Sequence, residues 1–446
     1  MDKDYILNNV EDFTAEQLFD FIRHGIVTLD ELRKTEKLDA SKRIVITQLQ
    51  ANLLNVDNAA WNEAKEKNTL SSYTSYINQF PNGINFSDAK QAIQRVEEIN
   101  KRKEAEAQMI LEKLTKNPNA FPVFKIKELL NEGAVTNNQL LGIGIPNEII
   151  ERLNNVNSQQ FFLGENPDYI PDGYTEVYFW GIRGSGKTTA LSAVLSTANK
   201  MGYLEIAQGP GYNYMLQLQN NFDSKISTLP AGNNVDVTQY LPFTLKKADE
   251  KYYRSISLIE LSGEIFQCFL YKNASKPLPT LQHENTFNTL LQFLQGPNPK
   301  IHFFFVDYEK ENNVDQQGYT QANYLNAAAT FFNNPEYNFF GKNTDAIYVV
   351  VTKSDLMSTG DTQSRVQQIS EYLNENNFIG FINSLRAKCK KHSINNGRVL
   401  GTPFSLGKVY FNEICDFDNE ASLNLIDILM RRIAPKKNSI LDVFNN

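Results

Sequence analysis

Four apolar runs punctuate the second part of the chain: Thr175 to Trp180, Ile256 to Leu261, Ile301 to Val306 and Ala346 to Val351. Each has strand length and is rich in β-branched or aromatic residues, the pattern of a strand buried on both faces. Between them the period changes. Ala190, Leu191, Val194, Leu195 and Ala198 recur at helical spacing, and Gly202 supplies a stop signal. A further helix is expected over Asn285 to Leu294. Alternating strands and helices predict an α/β domain over 173–434, three layers deep, with a mainly parallel central sheet. Two insertions, about 203–250 and 271–300, enlarge it.

Residues 1–160 differ in character and predict an all-α helical domain. Phe21 to Leu32 (Phe-Ile-Arg-His-Gly-Ile-Val-Thr-Leu-Asp-Glu-Leu) aligns with Leu129 to Leu140 (Leu-Leu-Asn-Glu-Gly-Ala-Val-Thr-Asn-Asn-Gln-Leu). Each copy ends a helix at Gly and starts another at Thr, with Glu or Gln three residues on, which is a capping box; each therefore reads as a helix hairpin. Trp61, Ala64, Tyr73, Tyr76, Phe80, Pro81 and Ala89 suggest helix pairs of the tetratricopeptide-like kind, and Ser87 to Lys116 reads as one long charged helix. Such pairs commonly present a surface to a protein partner; the alternative is a packing cap on the α/β domain. The Asn, Gly, Pro and Asp content between Asn154 and Gly173 marks a linker at 161–172, and 435–446 reads as a tail.

The first run feeds Gly181-Ile182-Arg183-Gly184-Ser185-Gly186-Lys187-Thr188-Thr189, which fits the phosphate-binding loop G-x-x-x-x-G-K-[ST]. Glycines let the backbone curl so that its N–H groups face phosphate oxygens, and the following helix N-terminus adds partial positive charge. Lys187 is placed to reach the β- and γ-phosphates, and the Thr188 hydroxyl to ligate Mg²⁺. The fourth run ends in Thr352-Lys353-Ser354-Asp355, the pattern [NT]-K-x-D. A carboxylate at Asp355 can accept from both N1–H and the 2-amino group of guanine, whereas adenine offers neither donor. Charge-assisted bonds of roughly 1.5–3 kcal/mol each make that a discrimination of about a hundredfold or more. The second run ends in Glu260-Leu261-Ser262-Gly263-Glu264, where a carboxylate at Glu260 can hold Mg²⁺ and the Gly263 N–H can meet a γ-phosphate.

Together the three motifs resemble the Ras-like (translation-factor-related) clade of P-loop GTPases over about residues 172–434. With Gly263, Glu264 and Phe266 they look most like bacterial GTPase domains found with conflict and defence genes. The resemblance implies GTP or GDP with Mg²⁺ as cofactors, and Ser405-Leu406-Gly407 as the loop closing over guanine. It places Glu264 where Ras-like enzymes orient the attacking water; the bland reading is a solvated helix start. Glu260 departs from the usual Asp by one methylene. Switch I departs further: the Mg²⁺ ligand expected there has Thr228, Asn233 and Thr238 as candidates. Arg183 replaces the usual glycine and has three readings: an arginine finger in cis, a steric block to the water-orienting residue, or a surface arginine.

The 446 residues carry 41% hydrophobic content, enough for a sizeable core. A net charge of −7 and pI near 5.4 argue against a generic nucleic-acid or anionic-membrane binder. No apolar stretch is long enough to span a bilayer, Met1-Asp2-Lys3-Asp4 is no signal peptide, and Cys268, Cys389 and Cys415 are scattered. A cytoplasmic protein is expected. Asp307, after the third run, either lines the nucleotide crevice or starts the next loop, and the loop is the preferred reading. Three functions stay open: a slow Mg²⁺-dependent GTPase switch signalling through the helical domain, an ATP-binding signalling or defence NTPase, and a non-hydrolysing nucleotide-bound scaffold.

Overall fold

The computed structural model describes residues 2–154, 170–209, 211–230, 238–310, 313–337, 339–357, 362–375 and 377–436. The chain forms two compact units, Met1–Glu112 and Lys113–Asn446.

The first unit is helical: α1 (Lys3–Asn8), α2 (Ala15–Arg23), α3 (Leu29–Lys34), α4 (Ala40–Lys67), α5 (Leu70–Gln79) and most of α6 (Phe86–Lys116). The first repeat copy joins α2 to α3 as its sequence requires. Gly25 takes φ +70°, which closes Gly25 N–H on the Ile22 carbonyl and Ile26 N–H on that of Phe21. Thr28 then caps α3 through the backbone N–H of Glu31, whose carboxylate accepts in return from Thr28 N–H. Leu18, Val27, Leu32 and Ile46 bury together around this turn. Trp61, Ala64, Tyr73, Tyr76, Phe80 and Ala89 form a second cluster between α4, α5 and α6.

The second unit opens with α7 (Val123–Asn131), α8 (Asn137–Gly142) and α9 (Asn147–Asn154). The second repeat copy makes the same turn between α7 and α8, with Gly133 at φ +67° and a Thr136–Gln139 capping box. Composition alone groups these helices with the first unit. Hydrogen bonding ties this segment to the second: Phe411 N–H donates to the carbonyl of Pro118, ahead of α7, at 3.0 Å, and Arg152 Nε of α9 to Thr228 Oγ1 at 3.2 Å.

The sheet system follows: β1 (Thr175–Trp180), α10 (Lys187–Lys200), β2 (Leu204–Ile206), α11 (Tyr212–Asn220), β3 (Ile226–Thr228), β4 (Gln239–Leu245), β5 (Arg254–Glu260), α12 (Ile265–Asn273), α13 (Leu281–Gln295) and β6 (Lys300–Asp307). After these come α14 (Gln321–Phe332), β7 (Thr344–Thr352), α15 (Thr362–Glu375), α16 (Ile379–His392), β8 (Leu400–Phe404), β9 (Gly407–Tyr410), β10 (Ile414–Phe417) and α17 (Glu420–Arg432). The main sheet has the order β2-β4-β5-β1-β6-β7-β8. From β5 to β8 its strands are parallel, while β4 runs antiparallel to β5 and β2 to β4. A small antiparallel sheet, β3-β10-β9, stands apart.

Alternation along β1 produces the three layers. Tyr178 and Trp180 point into a core with Phe266, Phe269 and Phe332 of α12 and α14; Val177 and Phe179 point into another with Leu191, Val194 and Leu429 of α10 and α17. This is the three-layer α/β P-loop NTPase fold, with a mainly parallel sheet and a helical region ahead of it. At the N-terminal ends of β1 and β6 the sheet holds a buried polar network. Lys300 pairs with Glu176 at 3.2 Å, and the Tyr178 hydroxyl donates to the same carboxylate at 2.6 Å. The Trp180 indole N–H donates to His302 Nδ1 at 3.0 Å. Among the described residues no helix is long and apolar enough to cross a membrane.

Candidate functional site

The C-terminal tips of β5, β1, β6 and β7 are adjacent, so the three motifs meet at one edge of the sheet. The loop between β1 and α10 turns through Gly184 at φ +73° and Gly186 at φ +88°, which delivers Lys187 to the first position of α10. Lys187 Nζ donates to the carbonyls of Gly181 and Ile182 at 2.6 and 3.1 Å. Burial pulls its ammonium down to about 8, with the Glu260 carboxylate opposing that fall and Lys310 adding to it. The Ser185 hydroxyl is fully buried inside the loop and has no hydrogen-bond partner among the described residues.

Thr188, one residue on, donates its hydroxyl to Glu260 Oε1 at the end of β5. The other carboxylate oxygen, Oε2, accepts from the Tyr214 hydroxyl of α11 at 2.9 Å. Burial pushes the Glu260 carboxyl above its ordinary range, against the two hydrogen bonds and Lys187, which pull it down. Two hard oxygens, Thr188 Oγ1 and Glu260 Oε1, thus converge beside the loop between β1 and α10, a donor set that fits Mg²⁺. Gly263 is equally constrained. A Cβ there would lie 2.3 Å from the Arg183 amide nitrogen, so only glycine lets the turn after β5 press against the loop tip. Glu264 follows at the start of α12, half-buried, and Arg183 is exposed at the tip.

The two threonines read from the switch I window part company. Thr228 sits on β3 in the small sheet, where its hydroxyl accepts from Arg152. Thr238 immediately precedes β4, whose first residue, Gln239, pairs in register with Glu260. Its hydroxyl is buried without a hydrogen-bond partner among the described residues. Asn233 lies outside the described residues.

On the other side of the loop, Thr352 ends β7 and donates to the Ser185 carbonyl at 3.0 Å. Lys353 takes φ +55° and Asp355 stands exposed on the short 3-10 turn Ser354–Leu356. The Ser354 hydroxyl is buried and unpartnered among the described residues, and it lines a cavity of about 600 Å³ shared with Ser405, Thr402 and Arg365. Asp307, read from sequence as the start of a loop, is instead the last residue of β6, fully buried and paired with Lys353 Nζ at 3.2 Å. Burial raises its carboxyl and Lys353 counters. Glu309 pairs with the same lysine at 2.5 Å, and Lys310 Nζ donates to the Arg183 carbonyl at 3.1 Å. Sequence reasoning missed Lys310 and Tyr214, which belong to no short motif.

No family model and no curated protein matches the chain. Among solved structures it is similar to one described as nucleolar GTP-binding protein 1 PFF0625w of Plasmodium falciparum. That likeness has 11% identity and a TM-score of 0.23, and covers 60% of this chain and 91% of the other. At that level it carries no argument, and the fold rests on the topology above.

Proposed function

We propose that the chain is a GTP-binding protein and a slow Mg²⁺-dependent GTPase, which acts as a nucleotide-controlled switch and signals through its helical region to a protein partner. One observation carries the reading. The Thr352 bond to Ser185 joins the [NT]-K-x-D turn to the phosphate-binding loop, so the two halves of a guanine nucleotide site share one sheet edge. In this reading Lys187 and the backbone from Gly181 to Thr189 hold the phosphates, and the Gly263 N–H meets the γ-phosphate. Asp355 reads the base, with Lys353 braced beside it by Asp307 and Glu309, and Ser405 closes over it. Thr188, Glu260 and Thr238 are the oxygen donors for Mg²⁺, which when bound would neutralise phosphate charge and set its orientation. The Thr238 hydroxyl, buried beside the β4–β5 pair and unpartnered among the described residues, favours it over Thr228. Slow turnover follows from the glutamate at position 260 and from Glu264, whose negative charge faces the phosphate.

Direct titration tests this. GTP and GDP are expected to bind at least a hundredfold more tightly than ATP and ADP, by roughly two charge-assisted hydrogen bonds, and Lys187→Ala to abolish tight binding. Preference for adenine nucleotides would favour the ATPase reading. Tight binding with no multiple-turnover phosphate release would favour the scaffold.

A further inference from the structure

The glutamate at position 260 poses a positioning problem. Compared with aspartate it has one more rotatable bond, so the carboxylate beside Thr188 samples more orientations unless something holds it. The structure supplies a hold from a segment outside every motif. Tyr214 is fully buried, and its hydroxyl donates to Glu260 Oε2 at 2.9 Å while Oε1 accepts from Thr188. One carboxylate therefore bridges two side chains, one from α10 and one from α11.

The helix that carries Tyr214 is itself anchored. Gly211 precedes it at φ +79°, and a Cβ there would lie 2.8 Å from the Tyr240 carbonyl, so α11 starts in direct backbone contact with β4. At its other end α11 is fastened to α10. Ser192 Oγ donates to the Leu218 carbonyl at 2.7 Å, Ser196 Oγ to that of Gln219 at 2.5 Å, and Asn221 Nδ2 to Ser192 Oγ at 3.2 Å. Since α10 begins at Lys187 and Thr188, the phosphate-binding helix carries α11 and, through it, the outer half of the Glu260 grip.

We propose that Tyr214 is a positioning residue for the metal-binding carboxylate. By fixing Oε2 it aims Oε1 of Glu260 at the Mg²⁺ position beside Thr188, and so makes a glutamate serve where an aspartate would otherwise stand. This rests on the nucleotide reading above. Partners that orient metal ligands typically change metal affinity by about 10–100-fold when removed, and Tyr214→Phe removes the hydroxyl while keeping the ring in the core.

The test is a Mg²⁺ titration of full-length protein saturated with GDP, read by nucleotide release rate and by thermal shift. Tyr214→Phe is expected to raise the Mg²⁺ midpoint by about 10–100-fold, while GDP affinity in EDTA stays within about twofold of wild type. A ring that served packing alone would move both readouts or neither. Glu260→Asp, whose carboxylate cannot span Thr188 and Tyr214 together, gives a second variant; adding Tyr214→Phe to it should shift the midpoint no further. An unchanged midpoint in Tyr214→Phe, or additive shifts in the double variant, overturns the clamp alone. A wild type whose GDP retention ignores Mg²⁺ overturns the nucleotide reading and the clamp with it.

Discussion

The Thr352 hydroxyl lies 3.0 Å from the Ser185 carbonyl and 3.3 Å from that of Val306, so one side chain on β7 touches the backbone of neighbouring β6 and of the loop that follows β1. Gly186 packs on the same residue, since a Cβ there would approach Thr352 Cγ2 to 3.1 Å. Thr352→Val keeps the shape and removes the only proton. Leaving these buried carbonyls without that donor should cost about 1–3 kcal/mol in chemical denaturation, and nucleotide affinity should fall as the loop loses its brace. Unchanged stability together with unchanged affinity would show that the bond does nothing for the loop.

Arg183 distinguishes its own three roles. Its carbonyl is already engaged by Lys310, and its side chain is exposed at the loop tip next to Gly263. In Arg183→Ala, a fall in single-turnover GTP hydrolysis of about 10³-fold matches a finger in cis. A rise matches a steric block, and no change matches a surface arginine. The finger is the expected outcome, because Arg183 stands exposed at the loop tip against the Gly263 turn.

For the base, Asp355→Asn should weaken GDP binding and strengthen xanthosine diphosphate binding. Xanthine has a carbonyl where guanine has its 2-amino group, so an amide donor matches it. Competition titration of the two diphosphates reads the ratio directly. If the ratio does not move, the exposed Asp355 carboxylate is not reading the base.

A pH dependence follows from His302. Full burial, with Lys300 nearby, holds its pKa well below the ordinary 6.5, and its Nδ1 must stay unprotonated to accept from Trp180. The native state therefore binds no proton there as pH falls, while the unfolded chain protonates near pH 6.5, so the stability present above that pH is lost below it. Between pH 7 and 5 the wild type should lose more stability than His302→Gln, by at most about 2 kcal/mol, from 1.36 kcal/mol per unit. Urea midpoints across that range measure the difference; parallel curves would mean that His302 takes up its proton equally in the folded and unfolded states.

The sequence was most legible where one residue type has one structural use. Gly25 and Gly133 sit at positive φ in the two repeat turns, and both capping boxes close as their Thr-x-x-Glu/Gln spacing predicts. The four apolar runs are strands because both of their faces are buried. The antiparallel β4 was not legible: Pro242, a residue that argues against a strand interior, sits in its middle, and its pairing with β5 is a tertiary choice. Tyr214 and Lys310 were equally hidden, because each meets the site from an insertion or loop whose path no local pattern fixes. Helical periodicity says that 123–154 is helical but not that the Arg152 side chain will bond Thr228 of the small sheet.

The two edges of the main sheet bear on how the protein behaves when crowded. One edge, β2, offers three residues; the other, β8, is Leu400-Gly401-Thr402-Pro403-Phe404. Proline brings no N–H to a strand and is tolerated at an edge, and Gly401, two residues before Pro403, offers no side chain to grip. With five aromatic-rich or β-branched strands shut inside, self-templated sheet growth would have to begin at these short, broken margins. The fold thus keeps the apolar strands of the main sheet away from its two margins.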